Sequence, residues 1–258
     1  MTAINPRFEA YYGNMSGSRW EGMRKSLLEK PEPVPFSEGL VRPYLLDYAS
    51  ITAARSLRLP EEGVILDACA APGGKSLVLL SRLPPHLRLL ANELSSERRR
   101  RLANVLADHL DAEKRGQVTV SGFDAAALGG RKSELCRFGG ILLDVPCSSE
   151  RHMLQKEKAL SEWTAARPRF LARRQWTLLS AAFLLLAAGG SLVYATCALS
   201  IEENDGVASR LIEKYRNHAI LDEPDFSEGE KTRFGRIILP DASGGVGPMY
   251  VARFRKII

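Results

Sequence analysis

From Gly63 onward, short apolar runs alternate with amphipathic ones, and this alternation narrows the possible folds more than any other feature. "GVILDACA" reads as a strand and "GGKSLVLLSRL" as a helix opened by glycines. "RLLANEL" is a second strand, and "SSERRRRLANVLADHL" is a helix with Ser95 or Ser96 as its N-cap. "QVTVSGFD", "GGILLDVP" and "SLVYATC" read as further strands, and "IEENDGVASRLIEKY" as a helix. The tail "GRIILPDASGGVGPMYVARFRK" reads as two strands around a glycine-rich turn. Residues 161–188 read as helix, in two pieces because Pro168 interrupts it, with Gly189-Gly190 as the stop. Strand and helix alternating at this spacing predict an α/β fold, a mostly parallel sheet with helices on both faces. Residues 63–258 form that unit. Residues 1–62 read as a helical segment and linker. Phe8, Tyr11, Tyr12 and Trp20 lie among basic residues, the proline-rich "EKPEPVPF" follows, and a helix runs from Tyr44.

Several classes are set aside by composition. The four cysteines, 69, 136, 147 and 197, form no Cys-x-x-Cys pair, so reduced thiols are expected, without disulfides or a metal. The longest apolar stretch is cut by Gly189-Gly190 well short of the roughly 20 residues a membrane span needs, so no membrane partner is expected. "MTAINPRFEAYYG" carries no signal or transit pattern, which predicts a cytoplasmic protein, or a mitochondrial one only if a leader has been removed. A net charge of +6 leans toward a polyanionic partner, nucleic acid being the usual one.

In a parallel sheet of this kind, ligands sit at the C-terminal ends of the strands. The residues there are Asp67 to Lys75, Glu93, Asp124, Asp144 to Cys147, and Thr196-Cys197. In "DACAAPGGKS", the small residues Ala70, Ala71, Gly73 and Gly74 let a ligand approach the backbone, and the helix N-terminus offers free N–H groups. The loop has neither Walker nor dinucleotide spacing. Glu93, 19 positions after Gly74, is placed to accept from both hydroxyls of a ribose, and Asp124 to meet an adenine amino group. A ribose and an adenine without a pyrophosphate point to S-adenosylmethionine (SAM). Cys69 reads as packing, and Cys136 receives no role.

Taken together and in order, "DACAAPGGKS", "NELSSERRRRL", "DVPCSSERH" and "ATCALSIEEN" resemble the RNA cytosine-5 methyltransferases of the NOL1/NOP2/Sun family. "FEAYYGNMSGSRWEGMRKSL" and "YLLDYASITAARSL" look like its compact mitochondrial-type members, so the resemblance covers most of the chain. It implies a Rossmann-like SAM-dependent methyltransferase fold with an antiparallel C-terminal strand. It also implies cofactor contacts from Ala70, Ala71, Pro72, Gly73, Gly74 and Lys75, and from Glu93, Arg98, Asp124 and Asp144. The implied nucleophile is Cys197, with Cys147 assisting later steps. The implied substrate is RNA, ribosomal first and transfer RNA second, and a protein partner for RNA targeting stays open. Two departures stand out: Glu93 where close relatives carry Asp, and Ala198 where serine is common.

Two thiols suit that chemistry. Cytosine C5 becomes nucleophilic only after a thiolate adds to C6, which splits one hard step into easier ones. Asp144 is placed to contact N3, provided burial keeps it protonated, and Lys75 to lower a thiol pKa. Spacing alone does not say which cysteine attacks. A DNA cytosine methyltransferase with Cys147 as nucleophile, and a non-catalytic RNA-binding protein of the same fold, are the rival readings. Arg167, Arg169, Arg173 and Arg174 with Phe170 and Trp176 are the candidate RNA-backbone contact, against a plain solvated basic face. His152 reads as a helix-start or surface histidine ahead of a base, and Arg98 to Arg101 as an exposed helix face ahead of a phosphate contact.

Overall fold

The computed structural model describes residues 5–130 and 132–257. A hairpin of β1 (Val34–Phe36) and β2 (Tyr44–Leu46) precedes the main sheet. The sheet strands are β3 (Val64–Asp67), β4 (Arg88–Asn92), β5 (Val118–Ser121), β6 (Phe138–Asp144), β7 (Leu186–Thr196), β8 (Ala219–Asp222), β9 (Glu230–Lys231), β10 (Arg236–Ile238) and β11 (Met249–Lys256). The helices are α1 (Pro6–Ser16), α2 (Trp20–Leu28), α3 (Tyr48–Arg55), α4 (Gly74–Ser81), α5 (Ser96–His109), α6 (Ala112–Gly116), α7 (Ala125–Leu128), α8 (Glu150–Leu154), α9 (Glu157–Ser161), α10 (Ala166–Leu185) and α11 (Asp205–Lys214).

The strands run in the order β5-β4-β3-β6-β7-β11-β10-β9, with β8 also paired to β11. β3 through β7 are parallel, and β11 lies antiparallel to β7 with Tyr250 opposite Thr196. This is the expected α/β class with its antiparallel C-terminal strand. The order reverses at β3, between β4 and β6, so the ligand crevice opens beyond Asp67, Asn92 and Asp144.

The strand alternation sorts the core into two layers. Ile65, Leu142, Val193, Ala195 and Val251 face α3, α4 and α5. Leu66, Ile141, Leu143, Leu192, Tyr194 and Tyr250 face α7, α10 and α11. A third cluster joins Phe8, Tyr12, Trp20, Met23 and Leu27 of α1 and α2 to Met153, Leu154, Leu160, Trp163 and Leu199. Asn5 ties this packing down: its side chain caps α1 and donates to the carbonyls of Leu160 and Trp163 at 2.7 and 3.2 Å.

Three local expectations are corrected. The helix expected from Tyr44 begins at Tyr48, because Asp47 caps it through the Ala49 amide at 2.8 Å. Residues 44–46 pair instead with the proline-rich stretch, which is therefore part strand. Pro168 does not break a helix. It is the third residue of α10, in the first turn, where an N–H has no intrahelical partner to lose, and the break falls at 162–165. Gly189-Gly190 does not end that helix. α10 stops at Leu185, and the glycines lie inside β7, where the pairing jumps from Leu186 to Ser191. Gly189 has φ 76°, and a Cβ on Gly190 would stand 2.9 Å from the Gly139 carbonyl oxygen, so the irregularity requires glycine. Among the described residues no helix is long and apolar enough to cross a membrane, and no cluster could hold a metal ion.

Candidate active site

The loop after β3 separates two clefts. The larger, about 580 Å³, is lined by Asn92, Glu93, Arg98, Phe123, Asp124 and Arg174 among others. The smaller, about 230 Å³, is lined by Asp67, Ala70, Ala71, Pro72, Gly74, Lys75 and Asp144, with Leu46 and Ser50 opposite. Cys69 borders both, and burial pushes its thiol up to about 12, which suits packing rather than reactivity.

The larger cleft is built around Glu93. Asn92 beneath it fixes the floor, donating to the carbonyls of Ala68 and Phe123 at 3.1 Å and accepting from the Phe123 amide at 3.0 Å. Glu93 Oε1 accepts from the Ser95 amide at 2.9 Å. Its Oε2 lies 3.3 Å from Arg98 Nη1 but makes no hydrogen bond, leaving a buried acceptor unused. Such an orphan is costly unless a ligand completes it. Arg98 also donates to the Ala71 carbonyl at 2.9 Å, so it links both sides of the loop. Ser95 caps α5. Asp124 caps α7 through the Ala126 amide at 3.0 Å, which occupies one of its oxygens at the cleft edge.

The glycines of the loop serve packing. Gly73 has φ 121°, and a Cβ there would meet Val105 at 3.0 Å. One on Gly74 would meet Leu46 at 2.7 Å. Gly73 lines neither cleft; it turns the chain into α4.

Lys75 Nζ donates to Asp144 Oδ2 at 2.7 Å and to Ser50 Oγ at 3.1 Å. Burial lowers the proton affinity of this lysine, but the charge and the hydrogen bond of Asp144, with smaller pulls from Cys197 and Asp67, together outweigh that and the net direction is up, so Lys75 stays cationic. Asp144 is therefore bonded to a cation, a pairing that sequence spacing did not reveal. Asp67, fully buried, accepts from Ser76 Oγ at 2.6 Å, while its Oδ1 has no partner. Burial pushes its carboxyl up to about 7.

The two strand-end cysteines meet. Cys147 follows β6 and Cys197 follows β7, with their sulfurs 2.9 Å apart and Ser149 Oγ 3.5 Å from Cys197 Sγ. The pair is asymmetric. The hydrogen bond from Cys147 holds the Cys197 thiol below its usual range, against burial, and Ser149 adds to this. The same bond, with burial, pushes Cys147 well up. Cys197 is thus the more acidic of the two thiols. The main cause is the partner thiol, rather than the Lys75 expected from sequence. Ser149 was missed in the sequence; its left-handed φ of 55° aims the hydroxyl, and only its place two residues after Cys147 hinted at it.

The basic cluster on α10 is split. Arg167, Arg169, Phe170, Arg173 and Arg174 are exposed, and Arg174 rims the larger cleft. Trp176 turns toward α11, with the Arg210 guanidinium 4.6 Å over its ring. His152 is exposed on α8, and Cys136 is exposed away from the clefts.

A family model described as 16S rRNA methyltransferase RsmB/F matches residues 54–255. The chain belongs to the RsmB/F methyltransferase family. The relatives agree with the NOL1/NOP2/Sun resemblance of the motifs. The chain is 32% identical over 238 residues to the mouse 5-cytosine rRNA methyltransferase NSUN4, covering 86% of this chain and 62% of that one. It is 30% identical over 250 residues to the mouse mitochondrial tRNA (cytosine(34)-C(5))-methyltransferase, covering 92% and 71%. Among solved structures, NSun6 from Pyrococcus horikoshii with SFG aligns with a TM-score of 0.69 at 27% identity, over 86% of this chain and 55% of that one. The structure of PH0851 aligns at 0.80 with 19% identity, over 96% and 65%, a likeness of fold. The chain spans about six tenths of the length of the NSUN4 relatives it matches.

Proposed function

We propose that this chain is a SAM-dependent RNA (cytosine-5)-methyltransferase, acting on ribosomal RNA first and transfer RNA second through a covalent bond between Cys197 and cytosine C6. One observation carries the reading: two thiols from neighbouring strand ends lie 2.9 Å apart, the first pushed up and the second held low. The named activities of the relatives support it, since they methylate cytosine C5 of rRNA or tRNA. The family relative solved with the SAM analogue SFG supports the cofactor.

SAM fits the residues present, because the orphan Oε2 of Glu93 is a buried acceptor waiting for a hydroxyl donor. Glu93, Asp124 and Arg98 would hold its nucleoside end, and Ala70, Ala71, Pro72, Gly74 and Lys75 with Asp144 its remaining part. Bound there, SAM supplies an electrophilic methyl group. Cys197 adds to C6 as the thiolate, and the addition makes C5 nucleophilic. Asp144 lies at the N3 edge of the base, and the Lys75 cation bonded to it steadies the negative charge that develops there. Cys147, which carries its proton at the start, relays it to Cys197 and receives the C5 proton as Cys197 departs. In this reading residues 63–258 are the catalytic unit and 1–62 cover it. The same reading places it in the cytoplasm, or in the mitochondrion if a leader has been removed, compartments in which free thiols stay reduced. A partner protein for RNA targeting belongs to the same proposal.

The DNA-type alternative makes Cys147 the attacker, and the asymmetry of the thiols runs against it. The test is adduct trapping. Cys147→Ala is expected to accumulate RNA that stays on the protein after denaturation, and Cys197→Ala to give none. The reverse pattern would mean that Cys147 attacks. No adduct from either variant, with methylation intact, would dispose of the two-thiol mechanism.

A further inference from the structure

Two buried carboxylates outside the clefts connect the cysteine loops in opposite directions. Glu150, three residues after Cys147, accepts from the amide of Leu199, two residues after Cys197, at 3.0 Å. Glu203, six residues after Cys197, accepts from the amide of Ser148, the residue after Cys147, at 2.9 Å. Each loop thus sends a carboxylate to the backbone of the other. We propose that Glu150 and Glu203 are positioning residues, a reciprocal brace that sets the spacing of Cys147 and Cys197, with Tyr12 of α1 as its outer anchor. The functional part of this rests on the methyltransferase reading; the geometric part does not.

Each strut is held in turn. Glu203 also accepts from the Ser148 hydroxyl and from Gln175 Nε2, the latter at 2.8 Å. Gln175 donates as well to the Pro146 carbonyl at 3.0 Å, so α10 grips the loop on both sides of Cys147. The Tyr194 hydroxyl donates to the Glu203 carbonyl at 2.6 Å. Glu150 accepts from the Tyr12 hydroxyl at 2.5 Å, and Tyr11 donates to Glu202 at 2.7 Å, so α1 reaches both loops. Glu150 and Glu203 are fully buried. Burial, and then the Glu203 charge, push Glu150 up to about 7, and burial raises Glu203 too. Two acids so close and so dry are expensive to keep unless they fix a geometry. Two thiols in a shared hydrogen bond need such a geometry, since a small displacement separates nucleophile from proton donor.

The readout is the rate at which the intact protein closes a Cys147–Cys197 disulfide when diamide takes up the two hydrogens, measured beside methyl transfer and SAM binding. Glu203→Ala is expected to slow closure about tenfold and to lower kcat similarly, with little change in KM for SAM. Glu203→Gln keeps an acceptor for the Ser148 amide and is expected to restore both within about twofold. Tyr12→Phe removes only a hydroxyl and is expected to slow closure a few-fold. Closure at the wild-type rate in Glu203→Ala overturns the brace, and so does a Glu203→Gln as slow as the alanine, because charge would then be the function. If Glu203→Ala does not fold, Tyr12→Phe decides, and a wild-type rate there overturns the proposal. A wild-type chain that closes the disulfide on schedule yet methylates no RNA removes the methyltransferase reading and leaves the brace standing.

Discussion

Cys147 and Cys197 share one hydrogen bond and draw opposite acidities from it: Cys147 is pushed up and Cys197 is held down. Removing Cys147 must therefore make Cys197 less acidic. Cys147→Ala is expected to move the pH midpoint for alkylation of Cys197 upward, and Ser149→Ala to move it the same way by less. Iodoacetamide labelling across pH, read by peptide mass, measures both. An unchanged midpoint in both variants would mean that neither neighbour sets the acidity of Cys197.

The fold was legible because the strands keep period two and the helices carry clear starts. Ile65 and Leu66 face opposite layers, and Ser95 caps α5 as its position promised. What the sequence hid is contact between segments far apart along the chain. Tyr44 to Leu46 looked helical because the partner strand, Val34–Phe36, is invisible to local pattern. The cysteines could be placed at strand ends, but their asymmetry depends on a 2.9 Å contact across 50 residues. Glu150 and Glu203 sat in plain sight inside the motifs. Nothing local marks a glutamate as fully buried, so neither was singled out.

Asp67 gives a pH signature in stability. Its native carboxyl titrates near 7, well above the unfolded value, so from about pH 4 to pH 7 the native state binds the extra proton and stability falls as pH rises. Asp67→Asn removes that dependence. The variant is expected to match wild type near pH 4.5 and to exceed it by about 3 kcal/mol at pH 8, a rise in Tm of several degrees. Thermal unfolding without cofactor at the two pH values checks this. A constant offset between the proteins would show that Asp67 does not titrate in this range.

The Lys75–Asp144 pair predicts coupling. The lysine side chain is 13% exposed and the aspartate 29%, so losing one partner strands a charge in a partly dry crevice. Lys75→Met is expected to destabilise the protein by about 2 kcal/mol and to abolish methyl transfer. The double variant Lys75→Met with Asp144→Asn is expected to recover most of the stability and none of the activity. Urea unfolding of the two single variants and the double variant measures the coupling. Additive losses would mean that the pair does not act as a unit.

If RNA is the substrate as proposed, the exposed face of α10 predicts how it is held. Arg169 and Arg173 are four residues apart on one side of the helix, and Phe170, 64% exposed, lies beside them. A flat aromatic among guanidinium groups is suited to a stacked base with phosphates on either side. Neutralising a phosphate on a single strand releases counterions worth a slope of about 0.7 in log K against log salt. The double variant Arg169→Ala with Arg173→Ala is therefore expected to lower that slope by about 1.4 if each arginine meets one phosphate. Phe170→Ala is expected to cost about 1–3 kcal/mol of RNA affinity with no change in slope, because stacking releases no counterions. SAM affinity should not move in any of them, since none of these side chains lines the clefts. Filter binding of a short single-stranded RNA from 50 to 300 mM salt separates the two effects. A double variant with the wild-type slope would make this face ordinary solvated surface and send the RNA path elsewhere across the mouth of the clefts.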